Sequence, residues 1–105
     1  MKIYTLGGTH TVRVTFEQLS DAFTEAYAAY DPARPTFILR RPDGMTATYT
    51  YPTSTQVTHP GTIVGRYLAT FIRDQPGVWE WEWKDPDATH PGGAYGAFRV
   101  EAPPF

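Results

Sequence analysis

The chain has 105 residues, enough for one domain and too few for two. An apolar fraction of 41%, an aromatic fraction of 15% and a net charge of only −2 predict a packed core rather than disorder, and give no field that would draw the chain onto nucleic acid or an anionic membrane. With no cysteine there is no disulfide or thiolate site. No run approaches the roughly 20 apolar residues of a membrane span, and residues 1–8 lack the apolar segment of a secretion signal, so a soluble protein made in a cytoplasm is expected.

In chain order, Lys2 to Leu6 reads as a short edge strand closed by Gly7-Gly8. Thr11 to Phe16 alternates, with Val12, Val14 and Phe16 on one face and Thr11, Arg13 and Thr15 on the other, the pattern of a half-buried strand. Residues 16–30 support two readings. Phe16, Leu19, Phe23, Ala26, Tyr27 and Tyr30 recur at helical spacing, and Thr15 with Gln18 makes a capping box, so a short helix is one. A long β connection or an extra hairpin around Ser20-Asp21-Ala22 is the other. Asp31-Pro32 ends either, because a residue before proline avoids the α region.

Strand signals dominate after Pro35. Thr36 to Arg41 meets the turn Pro42-Asp43-Gly44, where proline presets φ and glycine supplies a positive one, and Met45 to Tyr51 returns as the second arm of a hairpin. Pro52 to Pro60 is rich in turns, with a short strand at Gln56-Val57-Thr58. Gly65 to Ile72 alternates with Tyr67, Ala69 and Phe71 on one face. After the turn Asp74-Gln75-Pro76-Gly77, residues 78–84 place Trp79, Trp81 and Trp83 opposite Glu80 and Glu82. A loop from Asp85 to Gly93, a last strand from Ala94 to Glu101 and a tail at 101–105 complete the chain. Short strands punctuated by turns predict a single all-β domain, an antiparallel β-sandwich of about seven strands.

From Thr36 onward the motifs resemble an immunoglobulin-like protein family common in tailed bacteriophages and prophages. They are the run from Phe37 to Gly44, Thr48-Tyr49-Thr50-Tyr51, Gly65-Arg66-Tyr67, the run from Gln75 to Trp83, and Gly96 to Val100, preceded by Asp31-Pro32. The resemblance covers about two-thirds of the chain, and residues 17–30 are longer than the family's usual link. It implies an immunoglobulin-like sandwich and a non-enzymatic structural role in a phage particle, as a capsid decoration, head–tail junction or tail accessory component. The implied partners are copies of the chain itself or a larger capsid or tail protein, and the implied location is the virion, after synthesis in the host cytoplasm.

The residues themselves favour binding over chemistry. Ser20 and Ser54 sit in no glycine-rich elbow, Gly7-Gly8 lacks the lysine of a phosphate loop, and His10, His59 and His90 show no ligand spacing. Asp85, Asp87 and Thr89 lack the acid count and the turn glycine of a calcium loop. No convergent acid, base and nucleophile is visible, so no enzyme, cofactor or metal is expected. The tryptophan row reads as core, with Trp83 at the strand end the most exposed of the three. Its alternative is a surface row that stacks on sugars in a carbohydrate-binding module. The candidate partner interface comprises the aromatic stripe Phe23, Tyr27 and Tyr30, together with Arg40 and Arg41, whose adjacency sends them to opposite faces of a strand.

Overall fold

A computed structural model describes residues 1–21, 26–61, 63–87 and 93–103. Among the described residues it contains ten strands and no helix. They are β1 (Lys2–Thr5), β2 (Thr9–Thr15), β3 (Glu17–Asp21), β4 (Ala26–Ala29), β5 (Thr36–Arg40), β6 (Thr46–Thr50), β7 (Val57–Thr58), β8 (Arg66–Ile72), β9 (Gly77–Lys84) and β10 (Tyr95–Glu101).

Eight of them form a β-sandwich. One layer has the order β1-β10-β9-β5-β6 and the other β2-β8-β7. Alternation explains the core. His10, Val12 and Val14 of β2, Tyr67, Ala69 and Phe71 of β8, and Phe37 and Leu39 of β5 are the inward positions of their strands, and all are buried. Rings from the two layers meet between the sheets. His10 stacks on Phe98 at 4.1 Å, and Phe71 lies 5.6 Å from Trp79 and 6.0 Å from Phe37. Fully burying one such side chain stabilises the fold by about 1.5–3 kcal/mol.

The hairpin expected around Pro42-Asp43-Gly44 is present. Phe37 faces Tyr49 and Leu39 faces Ala47 across β5 and β6, and Gly44 takes φ +88° in the turn. One expectation of orientation fails. β1 runs parallel to β10, so the larger sheet is mixed. The chain leaves β1 through Gly7-Gly8 for the other layer; no tight turn joins β1 to its neighbour, so nothing local imposes antiparallel pairing.

The helix considered for residues 16–30 is also corrected: the described part of that segment is a hairpin of β3 and β4, which adds two strands to the eight of the sandwich. A helix needs its apolar stripe against a core. Here Phe16 is fully buried as the next inward position after Val14, whereas Tyr27 is 65% exposed and Ala26, Ala28 and Ala29 face solvent. Residues that share a helical face on paper therefore lie in different environments. Among the described residues, β3 and β4 pair only with each other, as an arm outside the two layers. The molecule is accordingly long, 56 × 28 × 24 Å, with a radius of gyration of 15.3 Å against about 13 Å for a compact domain of this length.

Candidate functional site

The arm grows out of β2 without a break. Phe16 donates its N–H to Gly65 O (2.8 Å), continuing the β2–β8 ladder, and accepts the Tyr30 N–H at its own carbonyl (3.0 Å), beginning the ladder with β4. In an extended chain the N–H and C=O of one residue point the same way. β8 and β4 therefore lie end to end along one side of a single ribbon, residues 9–21, which changes partner at Phe16. The change leaves the Gly65 N–H without a strand partner, and the Asp31 carboxylate accepts it at 2.7 Å. Only glycine fits there: φ is +78°, and an added Cβ would stand 2.7 Å from Phe16 O and 3.0 Å from Tyr30 O.

Side chains lock the root of the arm. The Tyr30 hydroxyl donates to Asp85 Oδ2 at 2.6 Å, and burial, reinforced by that carboxylate, pushes the phenol up to about 12. The Phe16 ring closes edge-on against Trp83 at 6.2 Å and Tyr67 at 5.9 Å. His59 stacks on Tyr67 at 4.5 Å, and its Nδ1 lies 2.7 Å from Arg66 O, with Nε2 3.5 Å from Asp31.

Among the described residues, the opposite side of the ribbon is free. Even-numbered residues of β2 hydrogen-bond to β8, in phase with the bond from Phe16 to Gly65 at one end and that from Arg73 to Gly8 O at the other. Odd-numbered residues therefore turn their N–H and C=O outward, and among the described residues no strand pairs there. The side chains of Thr9, Thr11, Arg13, Thr15 and Glu17 are exposed on the outer face.

The predicted interface residues separate. Phe23 lies outside the described residues. Tyr27 is exposed on β4, whereas Tyr30 is half-buried as an anchor, so the two do not form one surface stripe. Arg40 points out from the five-stranded sheet, 3.9 Å from Glu80. Arg41 lies at the rim, where Nη2 donates to the Tyr49 hydroxyl at 3.3 Å. Neither arginine joins the arm. Arg40 instead borders a shallow groove of about 320 Å³ on the outer sheet face with Ile38, Thr46, Glu82 and Tyr95. Its charges are already matched, Arg40 with Glu80 and Glu82 with Lys84 at 3.5 Å, and it presents no nucleophile beside a base.

The tryptophans are core residues. Trp79 and Trp83 are 0% and 1% exposed, and it is Trp81, over Gly96, that is half-buried, contrary to the expectation for Trp83. The root of the arm covers the strand end that would otherwise have opened Trp83 to solvent. With two of the three rings enclosed, no exposed tryptophan row is available to stack on a sugar. His10 is buried beside Arg73, whose Nη1 donates to Nδ1 at 3.2 Å; burial, with the arginine's charge, lowers its pKa. Thr89 and His90 lie outside the described residues, and among the described residues no three metal-ligating groups cluster.

Sequence reasoning missed the free edge. Its signal was available: residues 9–30 contain no Pro, Gly or Lys, in a chain with 10 Pro and 9 Gly. Comparison with known proteins finds no family model, curated protein or solved structure that matches the chain.

Proposed function

We propose that the protein is a non-enzymatic structural component of a tailed-phage particle, of the immunoglobulin-like kind, that acts through contacts with copies of itself or with a larger capsid or tail protein. The observation that carries this reading is the arm. A two-stranded hairpin is marginal by itself in water, yet this fold commits Phe16, Tyr30, Asp31 and Gly65 to hold one outside the core. Beyond its root such an arm turns Ala26, Tyr27, Ala28 and Ala29 to solvent rather than into the core, and it extends the reach of the domain toward a neighbour. The motifs from Phe37 to Val100 support the phage context, and the matched charges of the outer groove support a solvated face rather than a reaction site.

Quantitative mass spectrometry of gradient-purified particles from the producing host tests the reading. Many copies per particle, retained through a salt wash, are expected. Absence from particles at every stage of purification overturns a virion role.

A further inference from the structure

We propose that the free edge of residues 9–21 pairs with the same edge of a second copy, antiparallel about a two-fold axis through Thr15. This inference stands apart from the particle reading, because it rests on strand geometry and charge alone.

Exposed strand edges are ordinarily blunted by shortness, proline, lysine or a bulge. The other edges of the described strands are short. β1 and β4 have four residues each and β1 carries Lys2, β6 has five residues between Pro42 and Pro52, and β7 has two. The β2–β3 ribbon runs for thirteen residues, 9–21, with one irregularity near its end between Leu19 and Asp21. At about 3.3 Å per residue it offers an edge of roughly 43 Å.

The register follows from two independent conditions. From Thr9 to Leu19, ahead of the irregularity, odd-numbered residues carry the outward N–H and C=O groups, so odd must face odd for the bonds to form and for exposed faces to match. Among such registers, pairing 11–19 with its own reverse places Thr15 opposite Thr15 of the second copy. That same register sets Arg13 against Glu17 of the second copy, and Glu17 against its Arg13. Neither side chain has an ion-pair partner within the described residues of its own chain. A slide of two residues in either direction loses both pairs. A slide of four to one side opposes Arg13 to Arg13, and to the other Glu17 to Glu17. Threonine across threonine and opposite charges across strands are the favourable combinations. A palindrome of charge about Thr15 is the pattern a second copy satisfies, and an unrelated strand has no need of it.

In the pair, β3 of each copy lies beside β2 of the other. The three-stranded layer then continues as β7-β8-β2 followed by β3 and β4 of the second copy. The arm that stands alone in one chain becomes the fourth and fifth strands of a sheet.

Sedimentation equilibrium of the full chain from about 5 to 500 µM, the range in which a weak homodimer dissociates, tests this. Association to twice the 11.8 kDa chain mass is expected. Arg13→Glu and Glu17→Arg, both on exposed positions, should each raise the dissociation constant about tenfold or more, since each opposes two like-charged pairs. The double variant should return to within about threefold of the parent. Thr15→Pro removes an N–H that no described strand of the same chain uses, and should abolish association while leaving the thermal transition of the monomer in place. A monomer throughout the range, a dimer indifferent to Thr15→Pro, or a double variant no better than the singles overturns the proposal. The charge variants decide the matter if the proline variant fails to fold.

Discussion

Replacing Gly65 with alanine probes the point at which the long ribbon changes partner. Holding an L residue at φ +78° costs about 1–2 kcal/mol. The new Cβ would also sit 2.7 Å from Phe16 O, 3.0 Å from Tyr30 O and 3.2 Å from Ala29 Cβ. Phe16 is fully buried and its carbonyl already accepts the Tyr30 N–H, so the oxygens cannot withdraw and the Gly65 backbone must. That movement lengthens the 2.7 Å bond to the Asp31 carboxylate, a charge-assisted interaction of about 1.5–3 kcal/mol. Together the loss is roughly 3–5 kcal/mol, a large share of the 5–15 kcal/mol typical of a domain. Gly44→Ala is the control. Its φ is +88°, but nothing lies within 4 Å of the added Cβ, so only the backbone strain of about 1–2 kcal/mol remains. Urea unfolding followed by tryptophan fluorescence at low protein concentration measures both. Equal losses, within about 0.5 kcal/mol, would refute the junction described here.

Three further outcomes follow from the core. Trp79→Phe should destabilise more than Trp83→Phe, by about 1–2 kcal/mol, because the Trp79 indole N–H donates to Gln75 O at 3.0 Å while that of Trp83 is buried with no acceptor among the described residues; urea midpoints at constant m-value decide it. The lowered pKa of His10 means that the unfolded chain binds a proton more readily than the fold. Its contribution is thus fully present above about pH 6.5, falls as pH drops below that value and levels off beneath the folded pKa. Unfolding at pH 5, 6, 7 and 8 should therefore show a shallower acid loss in His10→Phe than in the parent. Tyr30→Phe should cost about 1–2 kcal/mol through loss of the Asp85 bond. It should also remove one late phenol from an ultraviolet pH titration, since Tyr30 and Tyr67 are both pushed up to about 12. For both phenols stability declines as pH rises from about 10 to 12, where the unfolded chain ionises first.

The sandwich was legible wherever period-two alternation met a turn with a mechanism. Val12, Val14 and Phe16 were placed on one face of their strand, and Tyr67, Ala69 and Phe71 on one face of theirs, and all six are buried. Residues 16–30 were not legible, because Phe16, Leu19, Ala26 and Tyr27 satisfy a helical period as well as any β pattern. Competition for Phe16 settled the matter: the alternation that buries Val12 and Val14 claims it first, which fixes the start of the arm as extended chain. The parallel direction of β1 has no local signature, since it depends on a strand nearly a hundred residues away. Trp83 was placed correctly at the strand end but expected to be the most exposed tryptophan, because the covering ring belongs to Phe16, which no pattern within β9 reveals. The free edge needed two ladder registers at once, 9–15 with 66–72 and 17–21 with 26–29.

An unguarded edge is not destabilising to the single chain, because water satisfies its outward N–H and C=O groups. Its energetic consequence appears on association. Residues 11–19 of two copies would exchange about ten backbone bonds, each worth about 0.5–1.5 kcal/mol net. Two pairs of Arg13 with Glu17 would add about 0.2–1 kcal/mol each. Lost translational and rotational freedom takes back about 4–15 kcal/mol. The balance is small and sensitive to concentration, which suits a contact made where many copies are held close together and the second binding event becomes effectively intramolecular. It also couples the arm to the pairing. β4 is exposed along its whole length in one chain, so the order of β3 and β4 beyond Phe16 depends on their own ladder and on whatever lies along the ribbon's other side. Hydrogen exchange at the β3–β4 amides should therefore slow with protein concentration while exchange in β5 and β9 does not, and a concentration-independent arm would break the link between the edge and its proposed use.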